Sequence, residues 1–189
     1  MDDYAYAAEG ELLERVAQLG SKYSMSPTQS VESSVSITAI GIRAMLEEFM
    51  ESVRYLNTRR SETTLSLMSE AAVQDAIFLM LRPSVHDLVP ESPTDRVASR
   101  FTIKDFRSAS TRTIIEAKFV RDRDHGRQIS REIHDDIETY RTDPLCDHLI
   151  FFIFDPDIYI PDRAALQRQI EVERFYDQKQ LNCYIIVKP

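Results

Sequence analysis

A continuous apolar run, LIFFIF at positions 149–154, is the feature that most limits the folds open to this chain. A short run of consecutive apolar residues is typical of a β-strand whose two faces are both buried. Such a strand needs a layer of side chains above it and another below it. The run therefore predicts an α/β fold in which helices cover both faces of a central sheet.

The segments on either side of this run predict the rest of the sheet. Alternating residues at 100–106, a polar turn and a second strand-like segment at 112–120 predict a β-hairpin. The apolar segment 183–187 predicts a last strand, and helical spacing at 127–141 and 162–178 predicts the helices between strands. A hairpin followed by strand–helix–strand order predicts a mixed central sheet with flanking helices.

The first third of the chain has a helical pattern instead. Apolar spacing predicts three helices, over 5–19, 36–57 and 63–81, with a linker rich in Ser, Thr and Pro at 21–34. We therefore divide the chain into a helical N-terminal extension, 1–62, and an α/β domain, 63–189. The apolar face of the second helix is typical of core packing, although such a face could also mediate self-association or docking.

The formal charge of −8 hides a basic segment. Residues 1–91 carry a net charge of −7, residues 92–131 carry +5 and residues 132–189 carry −6. A phosphate-binding surface needs a local positive potential rather than a basic protein as a whole. The basic segment is thus a candidate contact for nucleic acid, and a solvated cluster of arginines is the alternative.

The composition also bears on the compartment. The first residues, MDDYAYAAEG, lack the basic-then-apolar order of a signal peptide, and no apolar run approaches the roughly 18 residues of a membrane-spanning helix. We therefore expect a cytoplasmic protein with no membrane partner. The two cysteines, Cys146 and Cys183, are then expected to be reduced and buried in or beside strands.

Ionisable residues interrupt the apolar second strand of the predicted hairpin. Glu116 and Lys118 are two residues apart, so they project from the same face of a strand. If the turn is centred near Ser110 and Thr111, Asp105 lies opposite Glu116. Two facing carboxylates repel each other unless a cation lies between them, and oxygen ligands of this kind suit Mg²⁺ or Mn²⁺. The hairpin therefore predicts a divalent metal site.

These groups suit the hydrolysis of a phosphodiester. A metal held by carboxylates stabilises charge on the phosphate oxygens and activates a water molecule. A nearby lysine either adds a fixed positive charge or deprotonates that water, and the sequence leaves both roles open. A Glu-x-Lys tripeptide is common, and a cross-strand salt bridge is the alternative reading. The hairpin, the upstream aspartate and the adjacent basic segment favour a nuclease centre.

Residues 70–189 resemble the PD-(D/E)XK phosphodiesterase superfamily, which has the restriction-endonuclease-like fold. More narrowly, they resemble nuclease-like domains of bacterial defence-associated proteins. The stretches that carry the resemblance are SEAAVQDAIFLML, KDF, IIEAKFVR, EIHDDIETYRTDPLCDHLIFFIFDPD and YIIVKP. The resemblance implies metal-dependent hydrolysis of nucleic acid, with DNA as the expected substrate, in an antiviral defence or restriction setting.

The resemblance also implies roles for individual residues. Asp105 and Glu116 would bind Mg²⁺ or Mn²⁺, and Lys118 would be the catalytic lysine. Glu70 would match a helical glutamate that contacts the metal through water. Four arginines at and after the end of the strand are candidate contacts for nucleic-acid phosphates: Arg121, Arg123, Arg127 and Arg131.

The sequence departs from the family pattern near the first aspartate. Family members often have Ser-Arg just before that residue, and alignment on Ser99-Arg100 places Thr102 near its position, which implies a weakened metal site. Alignment on the Asp-Phe pair places Asp105 there, and we prefer this second alignment. The first alignment implies an alternative function, a catalytically inactive subunit that binds nucleic acid or a protein partner. A homo-oligomer or a larger defence complex is expected in either case.

Overall fold

A computed structural model describes residues 37–58, 64–93, 103–176 and 179–189, with the backbone alone for 91–93 and 103–105. The predicted helix at 5–19, the linker at 21–34 and Thr102 lie outside the described residues.

The described residues form helices and strands in the order that an α/β fold requires. The helices are α1 (Ala39–Glu47), α2 (Phe49–Thr58), α3 (Glu70–Leu81), α4 (Arg123–Tyr140) and α5 (Arg163–Ile170). The strands are β1 (Leu88–Pro93), β2 (Ile103–Ser108), β3 (Thr113–Phe119), β4 (His148–Phe154), β5 (Arg174–Tyr176) and β6 (Lys179–Lys188).

The strands form a mixed sheet in the order β1-β2-β3-β4-β6-β5. The first three pair antiparallel, β3, β4 and β6 pair parallel, and β5 pairs antiparallel with β6. Parallel neighbours need crossover connections, and α4 and α5 supply them. The predicted α/β fold with a mixed sheet and flanking helices is confirmed.

Strand β4 lies between β3 and β6, and every residue of the LIFFIF run is buried. Its side chains alternate between two apolar cores. Phe152 packs toward α2, where its ring centroid lies 4.7 Å from that of Phe49. Phe151 belongs to the second core, with residues of α4 and α5. Complete burial of one such side chain contributes roughly 2 kcal/mol, which explains why this run determines the architecture.

Helices α1 and α2 pack in the same core as α3 and the sheet. They bury Ile42, Leu46, Phe49 and Val53 there. They belong to a compact unit that spans Ile37–Pro189. The division of the chain after residue 62 stays a prediction. The helix predicted over 36–57 is divided at Glu48 into α1 and α2.

Two short strands were not predicted. β1 contains Pro90 and Pro93, which a strand tolerates at the edge of a sheet, where β1 lies. The helix predicted over 162–178 ends at Ile170, and Arg174–Tyr176 form the edge strand β5. The predicted helix at 63–81 begins at Glu70, because the Ser69 side chain accepts a hydrogen bond from Ala72 N–H at 3.2 Å.

Cys146 and Cys183 are both buried thiols that are not joined by a disulfide, as predicted. Burial raises the pKa of Cys183 to about 11, so its thiol is protonated at neutral pH. Within the described ranges, no helix combines the length and the apolar character needed to cross a bilayer.

Candidate active site

Glu116 and Lys118 lie in β3 and face α4. Their neighbours Ile115 and Ala117 are buried in the core formed with α3, on the other face of the sheet. Glu116 is only 6% exposed, although it carries an ionisable group. Because isolated charges are costly to bury, both residues need polar partners, and α4 provides them. The two side chains therefore share one face, as their spacing predicts.

Glu116 receives a hydrogen bond from the phenol of Tyr140, the last residue of α4. Tyr140 is 1% exposed, and its ring is part of the core between α4 and the sheet. A buried hydroxyl that lacks a partner costs about 1–3 kcal/mol. The hydrogen bond satisfies that hydroxyl and holds the carboxylate in a defined orientation.

Lys118 forms an ion pair with Asp136, one helical turn before Tyr140. Lys118 Nζ lies 2.7 Å from Asp136 Oδ2. Desolvation acts to lower the pKa of Lys118, but the charge and hydrogen bond of Asp136 and the charge of Glu116 outweigh it, so the pKa is raised. Desolvation raises the pKa of Asp136, and Lys118 offsets only part of that rise. Lys118 is thus held as an ammonium group.

Further polar contacts surround the start of α4. Asp122 caps the helix, because its Oδ1 accepts a hydrogen bond from His125 N–H at 2.8 Å. His125 Nε2 lies 3.4 Å from a carboxylate oxygen of Glu132, and Arg121 N–H donates to His125 Nδ1 at 3.3 Å. These contacts tie the end of the β3 segment to the helix that follows it.

Asp105 lies in β2, and its side chain is outside the described part of the structure. The next residue, Phe106, pairs with Ile115 in the antiparallel register. Residue 105 is one position before Phe106 on β2, and Glu116 is one position after Ile115 on β3. Glu70 is the exposed first residue of α3, whose core lies on the face of the sheet opposite to α4. The roles of Asp105 and Glu70 as metal ligands stay predictions.

The four candidate DNA-contacting arginines are all exposed: Arg121, Arg123, Arg127 and Arg131. The last three are four residues apart along α4, so they lie on one side of the helix. One of them is paired, since Arg127 Nη1 lies 3.2 Å from Asp124 Oδ1. Exposed pairs of this kind are weak, so the side chain remains available to an incoming phosphate.

The donor chemistry around Glu116 suits a hard divalent cation. A buried carboxylate oxygen is the ligand type that Mg²⁺ and Mn²⁺ prefer. Among the residues that the structure describes, no group of three His, Cys, Asp or Glu is arranged to hold a metal ion. Glu116 therefore fits as one ligand, and a complete set would require Asp105.

A family model described as REase_DpnII-MboI matches residues 40–189. The chain belongs to the DpnII-MboI restriction endonuclease family. This family is part of the PD-(D/E)XK superfamily, so the resemblance stated from the sequence is confirmed. Membership supports nuclease activity on DNA in a restriction setting. A search of the curated proteins and a search of the solved structures each found no match.

The DpnII-MboI match begins within α1, three residues after the compact unit itself begins at Ile37. Helices α1 and α2 thus belong to the region that the family model covers.

Sequence reasoning missed the contacts of Asp136 and Tyr140 in this member of the family. The signal that could have found them is a polar row at four-residue spacing, Glu132, Asp136 and Tyr140, beside the apolar row Ile129, Ile133 and Ile137.

Proposed function

We propose that the protein hydrolyses phosphodiester bonds of DNA with Mg²⁺ or Mn²⁺ as cofactor, at a centre formed by Glu116 and Lys118. One observation carries the proposal: a buried carboxylate and a lysine on one face of β3 both bond to α4. Membership of a restriction endonuclease family makes DNA hydrolysis the reaction expected of this pair. Apart from such a role, two adjacent ionisable groups inside a sheet would be a costly arrangement.

Glu116 and Asp105 would hold the divalent ion. When bound, the ion supplies positive charge to the phosphate oxygens and lowers the pKa of a water molecule. The side chains of the protein orient the metal ligand and limit the access of water. Tyr140 keeps the Glu116 carboxylate oriented, and apolar neighbours limit the access of bulk water to it. An oriented ligand favours one position of the substrate phosphate.

Lys118 would act as a fixed positive charge beside the phosphate that is cleaved. Its raised pKa supports this role over that of a general base, because a base must lose its proton near neutral pH. The extra negative charge that develops in phosphoryl transfer is stabilised by a cation already in place. The ion pair with Asp136 sets the position of that cation before DNA binds.

The exposed arginines would bind the DNA backbone near this centre. Arg121 lies two residues after β3 ends at Phe119, and Arg123, Arg127 and Arg131 continue along α4. Arginines that contact phosphates contribute affinity without sequence preference and release counterions. Replacement of one of them should reduce, by about one, the slope of the logarithm of the binding constant against the logarithm of the salt concentration.

Restriction of foreign DNA in the bacterial cytoplasm is the proposed setting. One hydrolytic centre cleaves one strand, so cleavage of both strands requires a second copy or a second binding event. We therefore propose that the protein acts as a homo-oligomer, which matches the general preference of soluble proteins for symmetric assemblies. Sedimentation of the free protein and of its DNA complex would measure the number of subunits.

The test is a cleavage assay on a pool of random-sequence duplex DNA, with Mg²⁺, with Mn²⁺ and with chelator. Glu116→Gln and Lys118→Met should each reduce cleavage by about 100-fold or more, because each removes a charge needed in the transition state. Glu138→Gln, an exposed change on the outer side of α4, is the matched control and should cleave as wild type. Tight, salt-sensitive DNA binding without hydrolysis in either metal would instead favour an inactive binding subunit.

A further inference from the structure

The contacts between α4 and β3 form a matched ladder. Glu116 and Lys118 are two residues apart on the strand, and their partners Tyr140 and Asp136 are four residues apart on the helix. Two strand residues span about 6.6 Å and four helical residues about 6 Å. Because helix numbering falls as strand numbering rises, α4 runs opposite to β3, and both contacts form at once.

The C-terminal end of α4 is held in place independently of Glu116. Lys179 of β6 donates hydrogen bonds to the carbonyl oxygens of Tyr140 and Arg141, each at 3.4 Å. A cation at this end of a helix also interacts favourably with the helix dipole. Tyr140 is buried among apolar side chains, so its ring has little freedom to turn. The phenol thus reaches Glu116 from a fixed point.

Asp136 lies at the edge of the same interface. Its side chain is 24% exposed and that of Lys118 is 14% exposed. With so little exposure, water cannot fully solvate either charge in place of its ion-pair partner. A lysine has a long, flexible side chain, and a single strong partner is needed to hold its amine in one place. The ion pair provides that partner and keeps the amine beside the carboxylate of Glu116.

We infer that Tyr140 and Asp136 are positioning residues, which orient the Glu116 carboxylate and the Lys118 amine for the reaction. This inference rests on the proposed function. Neither residue needs to touch DNA or the metal ion, because each acts through its partner on β3. Groups that orient a metal ligand typically affect metal affinity or activity by about 10- to 100-fold.

The test uses two conservative variants and two matched controls in the full-length protein. Tyr140→Phe keeps the ring and removes the hydroxyl, and Asp136→Asn keeps the shape and removes the charge. Tyr184→Phe, a partly buried tyrosine that packs in the opposite core, and Asp135→Asn, on the exposed side of α4, are the controls. Thermal denaturation of all four variants checks that each remains folded.

We expect kcat to fall by about 10- to 100-fold in Tyr140→Phe and Asp136→Asn, with KM and DNA affinity within about twofold of wild type. A variant that merely loosened the fold would change its melting temperature and its DNA binding together. Mn²⁺ titration calorimetry without DNA gives a second readout, since Tyr140→Phe should weaken the affinity of Glu116 for the ion by about 10-fold. The controls should match wild type in every measurement.

Failure of the proposed function and failure of the positioning role would give different results. If the wild type neither cleaves DNA nor binds Mn²⁺, the proposed function itself is wrong and the inference falls with it. If the wild type cleaves and both variants retain its kcat and its Mn²⁺ affinity, only the positioning role is wrong. Should Tyr140→Phe fail to fold, Asp136→Asn decides, because its partly exposed site tolerates the isosteric change.

Discussion

Lys118 Nζ lies 2.7 Å from Asp136 Oδ2, and this ion pair joins the centre of the sheet to the helix that covers it. Removal of one partner leaves the other charge unpaired and partly desolvated. Removal of both partners leaves no unpaired charge. We expect Lys118→Met and Asp136→Leu each to lower the free energy of unfolding by about 1–3 kcal/mol. The double variant should lose less than the sum of the two. Urea denaturation measures these values, and strict additivity would show that the pair is not coupled.

The pH dependence of stability should include a contribution from Asp147. The hydrogen bond from Arg112 lowers the pKa of this carboxyl below its ordinary value of 3.8. A lowered pKa means that the stabilising contribution is present above the ordinary value and is lost as the pH falls through the folded-state value. Asp147→Asn should therefore flatten the loss of stability in acid, measured by denaturant unfolding below pH 5.

Asp135→Asn is the control for that measurement, since Asp135 is exposed on α4. It should lose stability in acid along the same curve as wild type. If Asp147→Asn also follows the wild-type curve, the contact with Arg112 does not contribute to acid stability.

Gly126 permits the close approach of α4 to the segment after β4. A Cβ atom at this position would lie 2.5 Å from the backbone oxygen of Tyr159. Gly126→Ala should therefore destabilise the protein by about 1–3 kcal/mol, because a backbone atom cannot move aside cheaply. The midpoint and slope of urea denaturation would measure the change.

The same substitution at Gly41 is the matched comparison. There a Cβ atom would meet the end of the flexible Ile37 side chain at 2.9 Å. Gly41→Ala should be neutral or stabilising by up to about 1 kcal/mol, since alanine favours a helix over glycine. Equal effects of the two substitutions would contradict the packing described for Gly126.

Replacement of Asp105 and Thr102 distinguishes the two alignments of the first motif. If Asp105 binds the metal, Asp105→Asn should reduce cleavage by about 100-fold or more, because an amide cannot replace the carboxylate charge. Thr102→Val should then leave cleavage unchanged. Unchanged cleavage in Asp105→Asn would exclude Asp105 as a ligand and favour the alignment that places Thr102 at this position.

The architecture could be predicted because it depends on strong, local patterns. The LIFFIF run, the hairpin and the helical spacing of 127–141 all correspond to elements of the structure. The edge strands could not be predicted in the same way. β1 contains prolines. β5 is three residues long and lies within the segment 162–178, whose apolar spacing predicts a helix, so tertiary pairing determines both strands.

The candidate site was predictable only in part. Two-residue spacing on a strand places Glu116 and Lys118 on one face, and this follows from backbone geometry alone. The contributions of Asp136 and Tyr140 could not be read in the same way, because they depend on which face of α4 meets β3 and at what register. Long-range packing fixes that register, and the sequence of the helix by itself does not.

The most direct test of the proposed centre is a crystal of the protein grown with Mn²⁺, in which anomalous scattering locates the ion. We expect a peak within about 2.5 Å of a Glu116 carboxylate oxygen, with Asp105 as a second ligand and Lys118 alongside. A fully occupied Mn²⁺ ion elsewhere, with Glu116 bound only by protein groups in an enzyme that still cleaves DNA, would contradict it.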